Sequence, residues 1–336
     1  MRVHLYNGSL KLVGRSGVGQ AFYHQKAMLE QAGVAVTEGW QGHADAVHIN
    51  TVLPDAVFAA LRARLRGETV VYYGHSTMQD FRDSFPGSNL AAPLFKQWLR
   101  FCYGLGDLVI TPTPYSKQIL DGYRLKRPVC ALTNGVDTAF FAPDAGRRAA
   151  FRRAYGLADS DPVVICAGHY FVRKGVLDFI ELARAMPEVK FFWFGYTDPA
   201  LTPAAVRRAI AEAPANLRFP GYVSQAELRD AYCGADVFAF CSHEETEGIV
   251  VLEALACGIP VVVRDIPVYQ GWLTDGKQVL KRRDTAGFRA AVGDILGGAW
   301  PRLGAEGRAA AEARSIAAAG RQLCALYRQY ARRKAG

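Results

Sequence analysis

Residues 236–264 read DVFAFCSHEETEGIVVLEALACGIPVVVR. Two short apolar runs, "VFAFC" and "VVV", flank a third apolar segment that begins after a cluster of acids. Runs rich in aromatic and β-branched residues read as strands buried on both faces, and residues 249–257 between them read as a short helix. Strand, helix, strand is the repeat of a parallel sheet covered on both sides. That helix carries one isolated carboxylate, Glu253. An unpaired buried charge is very costly, so Glu253 needs hydrogen-bond donors.

The same alternation extends in both directions. Upstream lie "VVICAGHY", a helix near residues 176–185, "VKFFWFGY" and "NLRFPGY". Further back, "RVHLYNG", "DAVHIN", "ETVVYYG" and "GDLVITPT" each run into a turn or helix signal. Between the two sets, after Pro143, the basic, alanine-rich "DAGRRAAFRRAYGLADSDP" reads as a connector. Two strand–helix alternations joined by a connector predict an α/β protein of two doubly wound parallel-sheet domains, residues 1–145 and 146–315. Residues 316–334 read as an amphipathic helix, with Ile316, Leu323, Leu326, Tyr327 and Tyr330 on one face, expected to pack back onto the first domain.

Composition bounds the rest. The 336 residues suit two domains, and half of them are apolar, enough for two cores. No run approaches the ~18 apolar residues of a membrane span, and the N-terminus lacks a signal peptide's apolar stretch. The seven cysteines form no C-x-x-C pair and fall mostly in apolar runs, as reduced core thiols of a cytosolic protein do. A net charge of +9 favours an anionic partner: nucleic acid, an acidic membrane or a phosphorylated substrate. Zinc-finger spacing, an RNA-recognition signature and a lysine-rich tail are all missing, which argues against nucleic acid. Charge that serves only solubility is the other reading.

Open parallel sheets bind ligands beyond the carboxyl ends of their strands, and two facing sheets would form a cleft. Residues just after strands are therefore the candidates. The glycine-rich loop at residues 8–19 either cradles a phosphate or is a surface loop; Phe22 stands where a dinucleotide fingerprint would need its last glycine. His75 follows "VVYYG" and is a site residue or a packing residue. Arg173 and Lys174 in "GHYFVRKG" suit a diphosphate, or form a solvated loop. Ser242 and Glu245 have the spacing of a capping box, and acids before a helix complement its dipole. Neither explains Glu253. A ribose diol would supply two hydroxyl donors to it, with phosphates at the helix start near Gly248 and Glu245 beyond them.

Glu245 and Glu253, seven residues apart in the intervening count and followed by "ALACGIPVV", resemble the paired-glutamate motif of retaining glycosyltransferases of family 4, which have the GT-B fold. "GHYFVRKG" resembles that family's diphosphate loop. "FPGYVSQAELRDAYCGADVFAFCS" and "NGVDTAFFAP" are similar to its flanking segments. The resemblance implies roles. Glu253 holds the ribose of a nucleotide sugar and Glu245 contacts the hexose. Lys174 neutralises the leaving diphosphate, helped by the N–H groups of Gly248 and Ile249. His75 touches the sugar, and the loop at Gly17 lines the cleft. Where many members carry an arginine after the loop glycine, this chain has His169, which leaves that charge to Arg173. Retention of anomeric configuration is implied by the family alone.

A finer resemblance is to bacterial diacylglycerol α-glucosyltransferases, which make glucolipids from UDP-glucose; it rests on residues 242–269 and on "YYGHSTMQDFRDSFPGSN". Residues 90–103 place Leu94, Phe95, Trp98, Leu99 and Phe101 among Lys96 and Arg100. That pattern fits a helix lying in a membrane interface, although an ordinary core helix is the commoner source of such a stripe. The glucolipid resemblance implies a cytoplasmic protein bound peripherally to an anionic surface at the inner face of the cell membrane. Two cations and a helix N-terminus can stabilise a leaving diphosphate without a metal. Asp159-Ser160-Asp161 has D-x-D spacing but sits in the polar connector and reads as a turn. Three functions compete: transfer to a lipid, transfer to a soluble sugar or polysaccharide, and nucleotide-sugar binding without catalysis. Glu245, Glu253 and Lys174 together argue against the last.

Overall fold

A computed structural model describes residues 1–9, 14, 16–40 and 42–330. They form two compact units. One holds Met1–Phe81, Leu90–Gly135 and the described part of Arg314–Gly336; the other holds Arg82–Asn89 and Val136–Ala313.

The first unit is built on six parallel strands, β1 (Arg2–Tyr6), β2 (Ala35–Thr37), β3 (Ala46–Ile49), β4 (Thr69–Tyr73), β5 (Leu108–Thr111) and β6 (Val129–Ala131), in the order β2-β1-β3-β4-β5-β6. The inner strands "AVHI", "TVVYY" and "LVIT" are wholly buried, as expected for strands covered on both faces. The order reverses between β1 and β3, so residues after those strands occupy the switch point of this sheet. The helix Ile316–Tyr330 packs on the helix Gly17–Gln31. The two backbones approach closely, since a Cβ on Gly320 would lie 2.7 Å from the Met28 carbonyl oxygen. The chain's last described helix thus belongs to its first unit.

The second unit repeats the plan with β7 (Val163–Ala167), β8 (Lys190–Phe194), β9 (Leu217–Gly221), β10 (Val237–Phe240), β11 (Val261–Arg264) and β12 (Leu280–Arg282), in the order β12-β11-β10-β7-β8-β9. All neighbours are parallel, with Phe238 opposite Val261 and Ile165 opposite Phe192. Here the order reverses between β7 and β10, which pair directly.

Two expectations are corrected. The basic stretch after Pro143 is no free connector. It forms the helix Ala145–Tyr155, capped by Asp144 and ended by Gly156 in the left-handed region. Three of its four arginines face a packed neighbour: Arg147 pairs with Asp230 at 2.8 Å, while Arg148 and Arg152 grip opposite oxygens of Asp236 at 2.8 and 3.0 Å. Arg152 is 1% exposed, so the charge that suggested solvent is buried and paired. The unit boundary accordingly falls between Gly135 and Val136, and Arg82–Asn89 lies in the second unit. The seven cysteines are all unpaired, and five are buried.

Candidate active site

The loops after β7 and β10 meet at the switch point of the second sheet, and glycine makes the approach possible. Gly175, after the short turn Val172–Lys174, has φ 76, and a Cβ there would lie 2.2 Å from the Cys241 carbonyl oxygen. Any side chain would push the two loops apart. With them held together, Lys174 Nζ donates to Glu245 Oε1 at 2.5 Å, and Ser242 Oγ donates to the same oxygen at 2.7 Å. Glu245 is 6% exposed. Burial alone would raise its pKa, but Lys174 and Arg173 overcome that and hold the carboxyl below its usual range. A buried carboxylate charged at neutral pH therefore sits beside a half-buried ammonium.

This geometry excludes the capping-box reading of Ser242 and Glu245. The helix begins only at Ile249, with Gly248 as its N-cap at φ 88 and no side-chain cap. Ser242 is spent on the Glu245 carboxylate instead. The eight-residue helix Ile249–Ala256 thus presents uncapped first-turn N–H groups, a place suited to an anion.

Glu253 lies on that helix, 1% exposed, and its Oε2 accepts from the Tyr232 hydroxyl at 3.0 Å. Burial pushes its pKa up to about 8 even though Tyr232 and Gln225 oppose the shift. The buried helix tolerates a glutamate because the carboxyl is hydrogen-bonded and largely protonated at neutral pH in the unliganded protein. Tyr232 lies 21 positions away on the helix Gln225–Gly234, and nothing in the local pattern singles it out.

Arg173 is fixed from several sides. Its Nη1 donates to the Glu244 carbonyl at 3.2 Å, and its own carbonyl accepts from His243 N at 2.7 Å. His169 does not stand in for an arginine. Its Nδ1 donates to the Tyr196 carbonyl at 2.9 Å, its ring stacks on Phe171, and burial lowers its pKa, so it is neutral. The cationic charge of this loop rests on Arg173 and Lys174.

In the first unit His75 follows β4 and is 7% exposed. Its Nε2 donates to Asn50 Oδ1 at 2.7 Å, its ring stacks on Tyr73, and burial takes its pKa down to about 3. It is a neutral imidazole of fixed orientation, able to hydrogen-bond but not to carry charge. Asn50, just after β3, is its missed partner. Gly17 opens the helix Gly17–Gln31, whose cap is Ser16. Residues 10–13 and 15 of the glycine-rich loop lie outside the described residues.

The helix Ser88–Gly104 is apolar on two sides. Phe95 and Trp98, expected to meet a membrane, instead pack on the core; Phe95 stacks on Phe81 at 4.1 Å, and Trp98 Nε1 donates to the Val52 carbonyl at 2.7 Å. Lys96 lies over the Tyr123 ring, and Arg100 is exposed beside Gln97. The outward apolar residues are Leu90, Leu94 and Phe101. Core helix and exposed apolar face are therefore not alternatives here. The helix has both faces, and Phe95 and Trp98 belong to the inner one.

Asp159-Ser160-Asp161 is a turn: Asp161 accepts from Ala158 N, and Arg152 binds the carbonyls of Ala158, Asp159 and Asp161. Among the described residues there is no group of three or more histidine, cysteine or acidic side chains placed to hold a metal, and no helix is long and apolar enough to cross a membrane.

Comparison with known proteins places this geometry. The family described as Glycosyltransferase Family 4 matches residues 17–140, and Glycosyl transferases group 1 matches residues 147–297. A processive diacylglycerol alpha-glucosyltransferase of Acholeplasma laidlawii is 42% identical over 88% of this chain and 88% of its own. The chain belongs to the family 4 glycosyltransferases. An alpha-galactosylglucosyldiacylglycerol synthase of Streptococcus pneumoniae is 26% identical over 80% of this glycosyltransferase and 74% of its own length. Among solved structures, Anabaena HepE in complex with UDP-glucose aligns with a TM-score of 0.74 at 17% identity, over 98% of this chain and 100% of that one. Sucrose-phosphate synthase of Thermosynechococcus elongatus aligns at 0.79 and 19%, over 98% of each. These structural likenesses show the GT-B fold with its two parallel-sheet units, and the 42% identical relative with the two family matches makes the enzyme a hexosyltransferase.

Proposed function

We propose that this glycosyltransferase moves glucose from UDP-glucose to diacylglycerol at an anionic membrane surface, giving α-glucosyldiacylglycerol with retention. The observation that carries the reading is the likeness, over 88% of each chain, to the processive diacylglycerol alpha-glucosyltransferase. The site chemistry supports it. The first turn of the helix Ile249–Ala256 takes the phosphates through the N–H groups of Gly248 and Ile249. Glu253 takes the ribose diol, and Glu245 accepts from hexose hydroxyls. Lys174 and Arg173 meet the charge that builds on the β-phosphate as the anomeric bond breaks. His75 hydrogen-bonds the hexose as a neutral group. The donor is tested by offering a panel of labelled nucleotide sugars with a membrane extract; label moving only from a donor other than UDP-glucose would refute the choice.

Because two side-chain cations and a helix terminus are assigned to the leaving group, transfer is expected to persist in EDTA. Complete loss in chelator, restored by magnesium, would contradict that assignment.

The acceptor side is assigned to the outward face of the helix Ser88–Gly104, with the protein bound peripherally at the inner face of the cell membrane. Leu94 and Phe101 insert, while Arg100 and the net charge of +9 add a salt-sensitive attraction of about 1 kcal/mol per charge near the surface. Replacing Leu94 and Phe101 together with serine is expected to lower partition onto anionic vesicles by at least about tenfold, because each buried apolar side chain contributes roughly 1.5–3 kcal/mol. UDP affinity should not change. Serine at Phe95 and Trp98 should instead lower the thermal midpoint, since those residues hold the core. Co-sedimentation across a salt series separates the two faces, and equal loss from both pairs would refute the division.

A further inference from the structure

Arg173 is held by a segment that the sequence pattern does not connect to it. Arg82–Asn89 belongs to the second unit although its last two residues open the helix Ser88–Gly104, whose remainder belongs to the first. Ser84 Oγ accepts from Arg173 Nε at 2.8 Å, and the Asp83 carbonyl accepts from Arg173 N at 3.2 Å. Ser84 is 4% exposed, so this bond is shielded from water. The segment has its own clamp. Asn89 Oδ1 accepts from Asp83 N at 3.0 Å, and Asn89 Nδ2 donates to Asp83 Oδ1 at 2.8 Å. Asp83 sits at φ 52, a conformation costly for a residue with a side chain. Such a backbone persists only where its surroundings over-determine it, and here those are Asn89 on one side and Arg173 on the other.

A long arginine side chain left to itself loses considerable rotamer freedom when it binds an anion. With Nε on Ser84 and Nη1 on the Glu244 carbonyl, the plane of the guanidinium is already set. We infer that Arg82–Asn89 is a positioning strap which, through Ser84 and Asp83, holds the Arg173 fork in place for the diphosphate of the donor. The inference rests on the donor reading above. Ser84 touches no reacting atom in this account; it acts through Arg173.

The test is calorimetry on the full chain with UDP, GDP and uridine. For Ser84→Ala the UDP dissociation constant is expected to rise about three- to tenfold, because the guanidinium must then be ordered at the moment of binding, while uridine binding stays within about twofold of wild type. Ser84→Thr keeps the oxygen and should bind UDP like wild type. Asn89→Ala, at an exposed position outside the core, should weaken UDP in the same direction by loosening the strap. Unchanged UDP affinity in Ser84→Ala overturns the inference, and so does an equal loss for UDP and uridine, which would mean a general disturbance of the unit. A wild type that prefers GDP refutes the choice of base in the donor reading, and the strap then stands or falls on the same ratios measured with GDP. A wild type that binds neither diphosphate overturns both.

Discussion

Lys174→Ala is expected to lower kcat by about 10²–10³-fold, the loss typical when one preorganised group facing developing charge is removed. Donor affinity should fall much less, because the charge on the β-phosphate grows as the sugar departs and the ammonium matters most then. The structure adds a second consequence. Lys174 is the ion-pair partner of Glu245, at 2.5 Å, and both are largely buried. Removing the cation leaves a carboxylate stranded in a desolvated place, which costs about 3–5 kcal/mol when the pair is buried. Glu245 keeps Ser242 and Arg173 but loses its ion-pair partner, so its pKa should rise. Thermal midpoints, with single-turnover and equilibrium binding data for UDP-glucose, check both consequences. Affinity falling with kcat unchanged would place Lys174 in ground-state binding only.

Glu253→Gln is expected to weaken UDP binding by roughly 1.5–3 kcal/mol, or about 10- to 150-fold, since the ribose hydroxyls lose a charged acceptor. The fold should not suffer. Glutamine keeps an acceptor for the Tyr232 hydroxyl and removes the cost of a buried titratable group. The carboxyl also predicts a pH signature. Its folded pKa, about 8, lies above the ordinary 4.5, so folding favours the protonated form. That contribution to stability is full below pH 4.5 and is lost as pH rises through about 8. A diol donating two hydrogen bonds favours the carboxylate, so UDP binding near pH 7 should release a proton. Affinity should climb as pH rises and level off above about 8. Calorimetry in buffers of different ionisation heat reads the released proton. Its absence in wild type, or its persistence in Glu253→Gln, would contradict the ribose assignment.

What the sequence discloses about this fold follows from burial. Among the described residues, eight strands are readable as apolar runs because both their faces are covered, and a ninth, Leu217–Gly221, is readable although it is a half-buried edge strand. The three it hides, Ala35–Thr37, Val129–Ala131 and Leu280–Arg282, are three-residue strands at sheet edges. Edge strands are kept short and half-exposed, so they carry no apolar run to detect. Arg152 misleads for the opposite reason. A basic run reads as solvated, yet Asp236 lies 84 positions away and supplies the charge that lets the arginine be buried. The candidate site divides along the same line. Glu253 is conspicuous as a lone charge among apolar residues, whereas Tyr232, Asn50 and Ser84 become partners only through tertiary contact. The amphipathic helix shows the limit of pattern reading on residue type alone. Phe95 and Phe101 are alike in the sequence, and only the position of the sheet decides which one faces the core.

What receives the sugar decides this enzyme's function. The direct measurement is transfer of labelled glucose from UDP-glucose by the full chain, with anionic vesicles containing diacylglycerol in one arm and soluble mono- and oligosaccharides in the other. The prediction is label in the organic phase as an α-linked glucosyldiacylglycerol, dependent on both the vesicles and the diacylglycerol. Label appearing only on a water-soluble acceptor, with the vesicle arm blank, would contradict it.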